Sequence, residues 1–351
     1  MPKKVRVLIV DDSAYMRVVL TDILESEGAV EVLGSAKDGL EAVEKSKALK
    51  PDVVILDIQM PKMDGLATLQ RIMKEAPSRV IMLSAMDKFD DQLPLKALEM
   101  GAVDFISKPS GPVSIEIINF KERIVEVITQ VASTSVEVLR QARRPLPEKL
   151  RLERPLSTRS PKAVVIGSST GGLRALEVIF AQLPKEVTGS FFMVQHLPPE
   201  FSESFAKRLD LARGPRVVLA VDEQRVEKGM AYLAPGGRHL RLRWKGATTL
   251  MTKLDDDGPV NFVRPSADVL FTSAAECLGT KVLAVVLTGM GIDGREGARA
   301  VKQAGGKVLV QNERTSVAHS MPRAIIEAGL ADDVLPIEEI PERIIEFLQE
   351  E

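Results

Sequence analysis

The segment Gly167-Ser168-Ser169-Thr170-Gly171 has the G-x-S-x-G spacing of a nucleophile elbow, in which small flanking residues allow a sharp turn that projects a serine. Around it, "KAVVIGSSTGGLRALEVIFAQL" reads as strand, glycine-rich turn and helix. The Thr170 amide, close to a helix N-terminus, is then a ready donor for an oxyanion. Glycine-rich strand-to-helix turns also cradle phosphates, so this segment alone admits both readings. A serine nucleophile needs a base, and the chain has only His196, His239 and His319. His196 follows the apolar run "FFMVQ" and reaches the same sheet edge as Ser169 if the two strands are parallel neighbours. His239 lies in the turn "GGRHLRL" and could line a site there, while His319 in "SVAHSMP" has no strand end to place it. Asp293, in the turn "MGIDG" after another apolar strand, completes a Ser169, His196, Asp293 triad. The expected contact is a carboxylate accepting the Nδ1 proton of His196.

A rival uses the same stretch. Gly289, Gly291 and Gly294 satisfy G-x-G-x-x-G between a strand and a helix, with Glu313 nineteen residues beyond Gly294, the pattern of a dinucleotide site. Against it, Asp293 places a carboxylate beside the expected pyrophosphate.

A second constellation lies near the N-terminus. Asp11 and Asp12 follow the first apolar run, Asp57 ends the third, Ser84 the fourth, and Lys108 follows the fifth, before Pro109. In a doubly wound sheet all of these gather at the carboxyl edge, where three carboxylates repel one another unless a hard cation such as Mg²⁺ joins them. Metal and ammonium around one carboxylate suit phosphoryl transfer to Asp57.

The elements that position these groups are those of an α/β chain. Through about Leu139, the runs "VRVLIV", "VEVLGSA", "DVVILD", "RVIMLS" and "VDFIS" alternate with helical patterns. From Arg140 to Lys162 the text turns proline-rich and basic, eight Lys/Arg against two Glu, which reads as a solvated tether, with a docking strip for acidic domains as the alternative. Beyond it, "KAVVIG", "SFFMVQ", "VLAVVLTG" and "GKVLVQ" restore the α/β rhythm, and "GMAYLAPGGRHLRLRWKGATTLMTK" suggests an added β-hairpin about its Gly-Gly pair, attached to the sheet. Two doubly wound parallel-sheet domains are expected: 1–125, then a helical extension and linker over 126–160, then 161–351.

With 47 basic residues against 49 acidic, a net charge of −2 supplies no field for nucleic acid or an anionic membrane, and no basic recognition helix follows the linker. The N-terminal apolar run is cut short by Asp11 and Asp12, so no signal or spanning segment is expected and the chain reads as cytoplasmic. The single cysteine, Cys277, excludes an internal disulfide and reads as a structural thiol.

Two resemblances carry these readings further. "LIVDDS", "VVILDIQMPKMDGL", "MLSA" and "DFISKPSG" resemble the flavodoxin-like receiver domain of two-component response regulators. That resemblance implies Asp57 as phosphoacceptor, Mg²⁺ held by Asp11, Asp12, Asp57 and the Gln59 carbonyl, and phosphate sensing by Ser84, Phe105 and Lys108. "VIGSSTGG", "VQHLPP", "LAPGGRHL", "NFVRPSADVLFTSAAECLG" and "VLTGMGIDG" resemble the chemotaxis protein-glutamate methylesterases. This implies Ser169, His196 and Asp293 as catalytic residues, with Thr170, His239 and Met290 lining the pocket, and no metal in the esterase step. It further implies a chemotaxis histidine kinase as phosphodonor and methylated glutamates of chemoreceptors as substrate; some members also deamidate glutamine. A receiver face that covers the Ser169 pocket until Asp57 is phosphorylated is the expected gate. Ile292 and "HSMP" depart from the family pattern and affect the loop beside Asp293.

Overall fold

The structure is a computed structural model that describes residues 4–26, 28–84, 93–108, 115–133, 149–150, 162–212 and 214–350. Most of the expected linker, Pro109 and the side chain of Ser84 lie outside the described residues. The chain divides into two compact units, Met1–Arg144 and Pro145–Glu351.

In the first unit, strands β1 (Val5–Val10), β2 (Val30–Ala36), β3 (Val53–Asp57), β4 (Arg79–Ser84) and β5 (Asp104–Ser107) alternate with helices α1 (Ala14–Glu25), α2 (Gly39–Leu49), α3 (Gly65–Glu75), α4 (Leu93–Glu99) and α5 (Ile115–Ser133). The sheet is parallel throughout, in the order β2-β1-β3-β4-β5. Val7 to Val10 and Val53 to Leu56 are fully buried, which is why these strands read as unbroken apolar runs rather than as an alternation. Ser13, Asp38 and Asp64 cap α1, α2 and α3 by accepting from the amides of Met16, Glu41 and Ala67, so each helix starts at a defined residue. The chain order reverses between β1 and β3, and that crevice is where a doubly wound sheet presents a ligand site. The long helix α5 runs through position 125 without a break.

The second unit holds β6 (Ala163–Ser168), α6 (Gly172–Gln182), β7 (Ser190–Gln195), α7 (Pro199–Asp210), β8 (Arg216–Leu219) and β9 (Met230–Leu233). These are followed by β10 (His239–Lys245), β11 (Thr249–Asp255), α8 (Ala267–Leu278), β12 (Val282–Val286), α9 (Arg295–Gln303), β13 (Lys307–Gln311), α10 (Ser320–Glu327), β14 (Asp333–Leu335) and α11 (Ile340–Gln349). A seven-stranded sheet runs β14-β13-β12-β6-β7-β9-β8, with parallel pairing at every step. The order reverses at β6 and β12, so the loops after β12, β6 and β7 emerge side by side at the carboxyl edge.

The hairpin differs from expectation in two respects. Its strands β10 and β11 form a separate two-stranded sheet, and they turn at Gly246, which has φ +65°, instead of at Gly236-Gly237. Gly236 is spent on a close approach, since a Cβ there would meet the Leu197 carbonyl oxygen at 2.4 Å and the Pro199 nitrogen at 2.6 Å. Leu240, Leu242, Leu250 and Leu254 of the hairpin pack with Leu270, Phe271 and Ala274 of α8 in one core. The hairpin thereby props the start of α8, which belongs to the site described next.

Candidate active site

At the carboxyl edge of the first unit, oxygens of Asp11, Asp12 and Asp57 all lie within 4.8 Å of one another. Lys108 Nζ stands 2.7 Å from Asp11 Oδ2 and 2.9 Å from Asp57 Oδ2. Burial pushes the Asp57 carboxyl up to about 6, and Asp11 adds to the rise, while Lys108 and the Gln59 amide pull the other way. A cluster of this spacing, with two buried carboxylates and one exposed, fits a hard cation that keeps part of its water. Phe105 is buried on β5, and a cavity of about 420 Å³ lined by Asp12, Gln59, Met60 and Asp64 opens beside the cluster.

In the second unit, β6 pairs with β7 so that Ser168 faces Gln195, which sets Ser169 and His196 next to each other beyond the strand ends. The His196 amide donates to the Ser168 carbonyl at 3.1 Å, and Gln195 fastens the same junction: its Oε1 accepts from Ser168 Oγ at 2.7 Å and its Nε2 donates to the Ser169 carbonyl at 2.9 Å. Gly172 makes room for that amide, because a Cβ there would meet Gln195 Oε1 at 2.2 Å. Ser169 is only 3% exposed, and its Oγ is buried without a hydrogen bond. Thr170 hydrogen-bonds through Oγ1 to Met290 Sδ at 3.3 Å, and both residues are buried against the elbow.

His196 reaches Asp293 across the site at 2.8 Å, but through Nε2. The expected Nδ1 contact is therefore reversed, because the ring enters from β7 with Nε2 toward the loop after β12. Asp293 is caged at the start of α8. Ser266 Oγ donates to Oδ1 at 2.6 Å, the Ala267 amide to Oδ2 at 2.7 Å and the Asp268 amide to Oδ1 at 3.1 Å. Burial alone would raise this carboxyl; His196, Ser266 and the Ala267 amide outweigh it and hold the group below the usual carboxylate range.

His239 is fully buried with both ring nitrogens occupied: Nδ1 accepts from the Ser266 amide at 3.1 Å, so Nε2 donates to the Gly258 carbonyl at 3.1 Å. It pins the start of α8, a role that follows from its place at the foot of β10. His319 is joined to Gly289 by a backbone bridge between the two loops, and its Nδ1 lies 3.4 Å from Ser316 Oγ. Cys277 is half-buried, with Sγ donating to the Leu242 carbonyl at 3.4 Å and burial raising its thiol.

The glycines of the rival dinucleotide pattern have other tasks. A Cβ on Gly289 would lie 2.9 Å from Ser169 Cβ and 2.3 Å from Met321 Sδ, so its absence lets the loop close behind the serine. Gly294, at φ +93°, precedes α9, and Asp293 between them is committed to His196. A cavity of about 600 Å³ does exist in this unit, but Lys162, Ala163 and Ser190 place it at the opposite, amino edge of the sheet.

The CheB methylesterase family matches residues 164–344, and the response regulator receiver domain matches residues 7–118. The protein-glutamate methylesterase/protein-glutamine glutaminase of Thermotoga maritima is 44% identical over 98% of this chain and 98% of its own length. The chain belongs to the CheB methylesterase family. A namesake from Geobacillus kaustophilus is 40% identical over 99% of this chain and 100% of its own. The crystal structure of the Thermotoga maritima CheB methylesterase catalytic domain covers 53% of this chain and 98% of that one, at 45% identity and a TM-score of 0.52.

Within this site, sequence reasoning overlooked Gln195, Ser266, Asn261 and Asp268. Asn261 Nδ2 donates to Asp268 Oδ2 at 2.7 Å and lies 3.4 Å from Asp293 Oδ1, while Asp268 Oδ1 accepts from the Gly297 amide at 2.7 Å. The signal was present in "RPSAD", where Ser266 has the form of a helix N-cap; its hydroxyl goes to Asp293 instead of to its own helix.

Proposed function

We propose that this chain hydrolyses γ-methyl esters of glutamate on chemoreceptors, releasing methanol, under control of phosphorylation at Asp57. The observation that supports it best is the His196–Asp293 pair beside the buried, unbonded Ser169 Oγ. Ser169 Oγ attacks the ester carbonyl carbon as His196 Nδ1 takes its proton. Asp293 holds the Nε2 proton and stabilises the imidazolium, and the Thr170 amide faces the developing oxyanion. Collapse returns the proton to the methoxy oxygen and expels methanol; water, deprotonated by His196, then cleaves the acyl-enzyme to free glutamate and Ser169. The same steps on a glutamine side chain release ammonia, in keeping with the glutaminase named for the relatives.

In the receiver, Asp11, Asp12, Asp57 and the Gln59 carbonyl would hold Mg²⁺, which screens charge on an incoming phosphoryl group. Asp57 accepts the phosphoryl group from a chemotaxis histidine kinase, Lys108 pairs with its oxygens, and Ser84 and Phe105 respond to it. No helix among the described residues is long and apolar enough to cross a membrane, and we place the reaction in the cytoplasm.

Methanol release from a methylated receptor fragment tests the reading. The parent should release methanol faster with Mg²⁺ and a phosphodonor, Asp57→Ala should lose that stimulation, and Ser169→Ala should release none. Release by Ser169→Ala at the parent rate would refute it.

A further inference from the structure

Val260 and Val263 exchange backbone hydrogen bonds of 3.1 and 3.0 Å, closing a two-residue turn with Asn261 at φ +52° and Phe262 at φ +63°. Two successive positive φ values define a type I′ turn, which favours Asn followed by Gly. Asn261 suits its position. Phe262 does not, because a Cβ-bearing aromatic residue in the left-handed region is strained. The same Phe262 is fully exposed, at 102% of its reference area, so its ring gains nothing from burial. A residue that combines backbone strain with an exposed phenyl ring points to a function outside the fold.

Its position indicates which function. The turn carries Asn261, whose amide lies between Asp268 Oδ2 and Asp293 Oδ1, so Phe262 stands one residue from a contact with the catalytic carboxylate. On the other partner of that contact, Ile292 adjoins Asp293 and is 43% exposed. Ser169 is buried, and a glutamyl ester is a short side chain. To deliver its carbonyl to Ser169 Oγ, the protein that carries it must bring its own backbone against the rim of the site.

We propose that Phe262 is the apolar anchor on which the protein substrate seats, with Ile292 extending the contact, and that it meets apolar side chains flanking the scissile ester. This rests on the esterase reading and adds to it a residue that selects protein over small esters. An aromatic ring with two side-chain torsions supplies contact area at low entropic cost, the usual character of an interface anchor.

The test is Phe262→Gly, assayed on a methylated receptor cytoplasmic fragment and on p-nitrophenyl acetate. Glycine adopts φ +63° freely, so the turn and Asn261 stay in place while the ring is removed. The KM for the receptor fragment should rise about five- to tenfold with kcat unchanged, while kcat/KM for the small ester stays within about twofold and Tm does not fall. Phe262→Leu should recover most of the lost affinity. An unchanged KM for the receptor fragment in an active enzyme overturns this inference alone. So does a parallel loss on both substrates, which would make Phe262 a support for the turn, or faster small-ester turnover without phosphodonor. A parent that hydrolyses neither substrate overturns the esterase reading and this inference with it.

Discussion

His196 Nε2 and Asp293 Oδ2 lie 2.8 Å apart, which leaves Nδ1 as the ring nitrogen available to Ser169. The carboxylate cannot rotate away to change this, because Ser266 Oγ and the amides of Ala267 and Asp268 hold both of its oxygens. The resting neutral His196 should therefore carry its proton on Nε2. ¹⁵N spectra of the imidazole at alkaline pH should show that tautomer; a dominant Nδ1–H form would contradict the arrangement. Asp293→Asn, which can present an N–H to the ring and favour the wrong tautomer, should lower kcat by about 10³–10⁴-fold.

Ser266→Ala removes one of the donors that keep Asp293 ionised while sparing the α8 cap, since the Ser266 hydroxyl makes no bond to its own helix. A hydrogen bond to a charged group contributes about 1.5–3 kcal/mol, and kcat should fall by roughly tenfold or more with a comparable loss in urea stability. A variant with parental kcat and stability would show that the Ala267 and Asp268 amides suffice.

Much of the scaffold was legible in the residues. The runs at Val5–Val10, Val30–Ala36 and Ser190–Gln195 form the strands their apolar character implies, and acidic or polar residues at or just past strand ends, such as Asp11, Asp57 and Gln195, mark the sheet edge where chemistry gathers. Ser169, His196 and Asp293 could be related because parallel neighbours align their ends. What could not be read was side-chain direction. Nothing in "VQHLPP" tells which nitrogen of His196 faces Asp293, and nothing in "GGRHLRL" tells that His239 turns inward to Ser266 and Gly258. The hairpin turn was misplaced because Gly236 serves a close approach to Leu197 and Pro199, a demand that depends on tertiary packing. Ile292 and "HSMP", the two departures in the loops, are absorbed without strain: Ile292 stays partly exposed, and Ser320 simply opens α10.

Gly289→Ala puts a methyl group against Met321 Sδ and Ser169 Cβ, where no space exists. The serine must shift, and kcat should fall by more than about tenfold, with a stability loss of about 1–3 kcal/mol from overpacking. Gly258→Ala, with open space around the new methyl and no positive φ, is the control and should change stability by less than about 0.5 kcal/mol. Equal behaviour of the two variants would remove the close approach from the explanation of the elbow.

Asp57, raised to about 6 by burial, gives the receiver a pH dependence of definite sign. Between the ordinary value of 3.8 and about 6 the folded state holds a proton that the unfolded state has lost, so stability falls as pH rises through that window. Asp57→Asn should stabilise the receiver by about 1–3 kcal/mol at pH 7.5 in metal-free buffer, and the gain should vanish below about pH 4. Calorimetry across that range reads it; a destabilised variant at pH 7.5 would show that the Lys108 pairing outweighs the burial cost.

Covalent labelling decides whether Ser169 is the nucleophile. Incubation of the full chain with a fluorophosphonate, followed by digestion and mass spectrometry, should find one phosphonyl adduct on the peptide bearing Ser169. Ser169→Ala should carry none, and His196→Ala should label far more slowly. An adduct that survives Ser169→Ala, or a folded parent that takes up no label, would contradict the esterase mechanism.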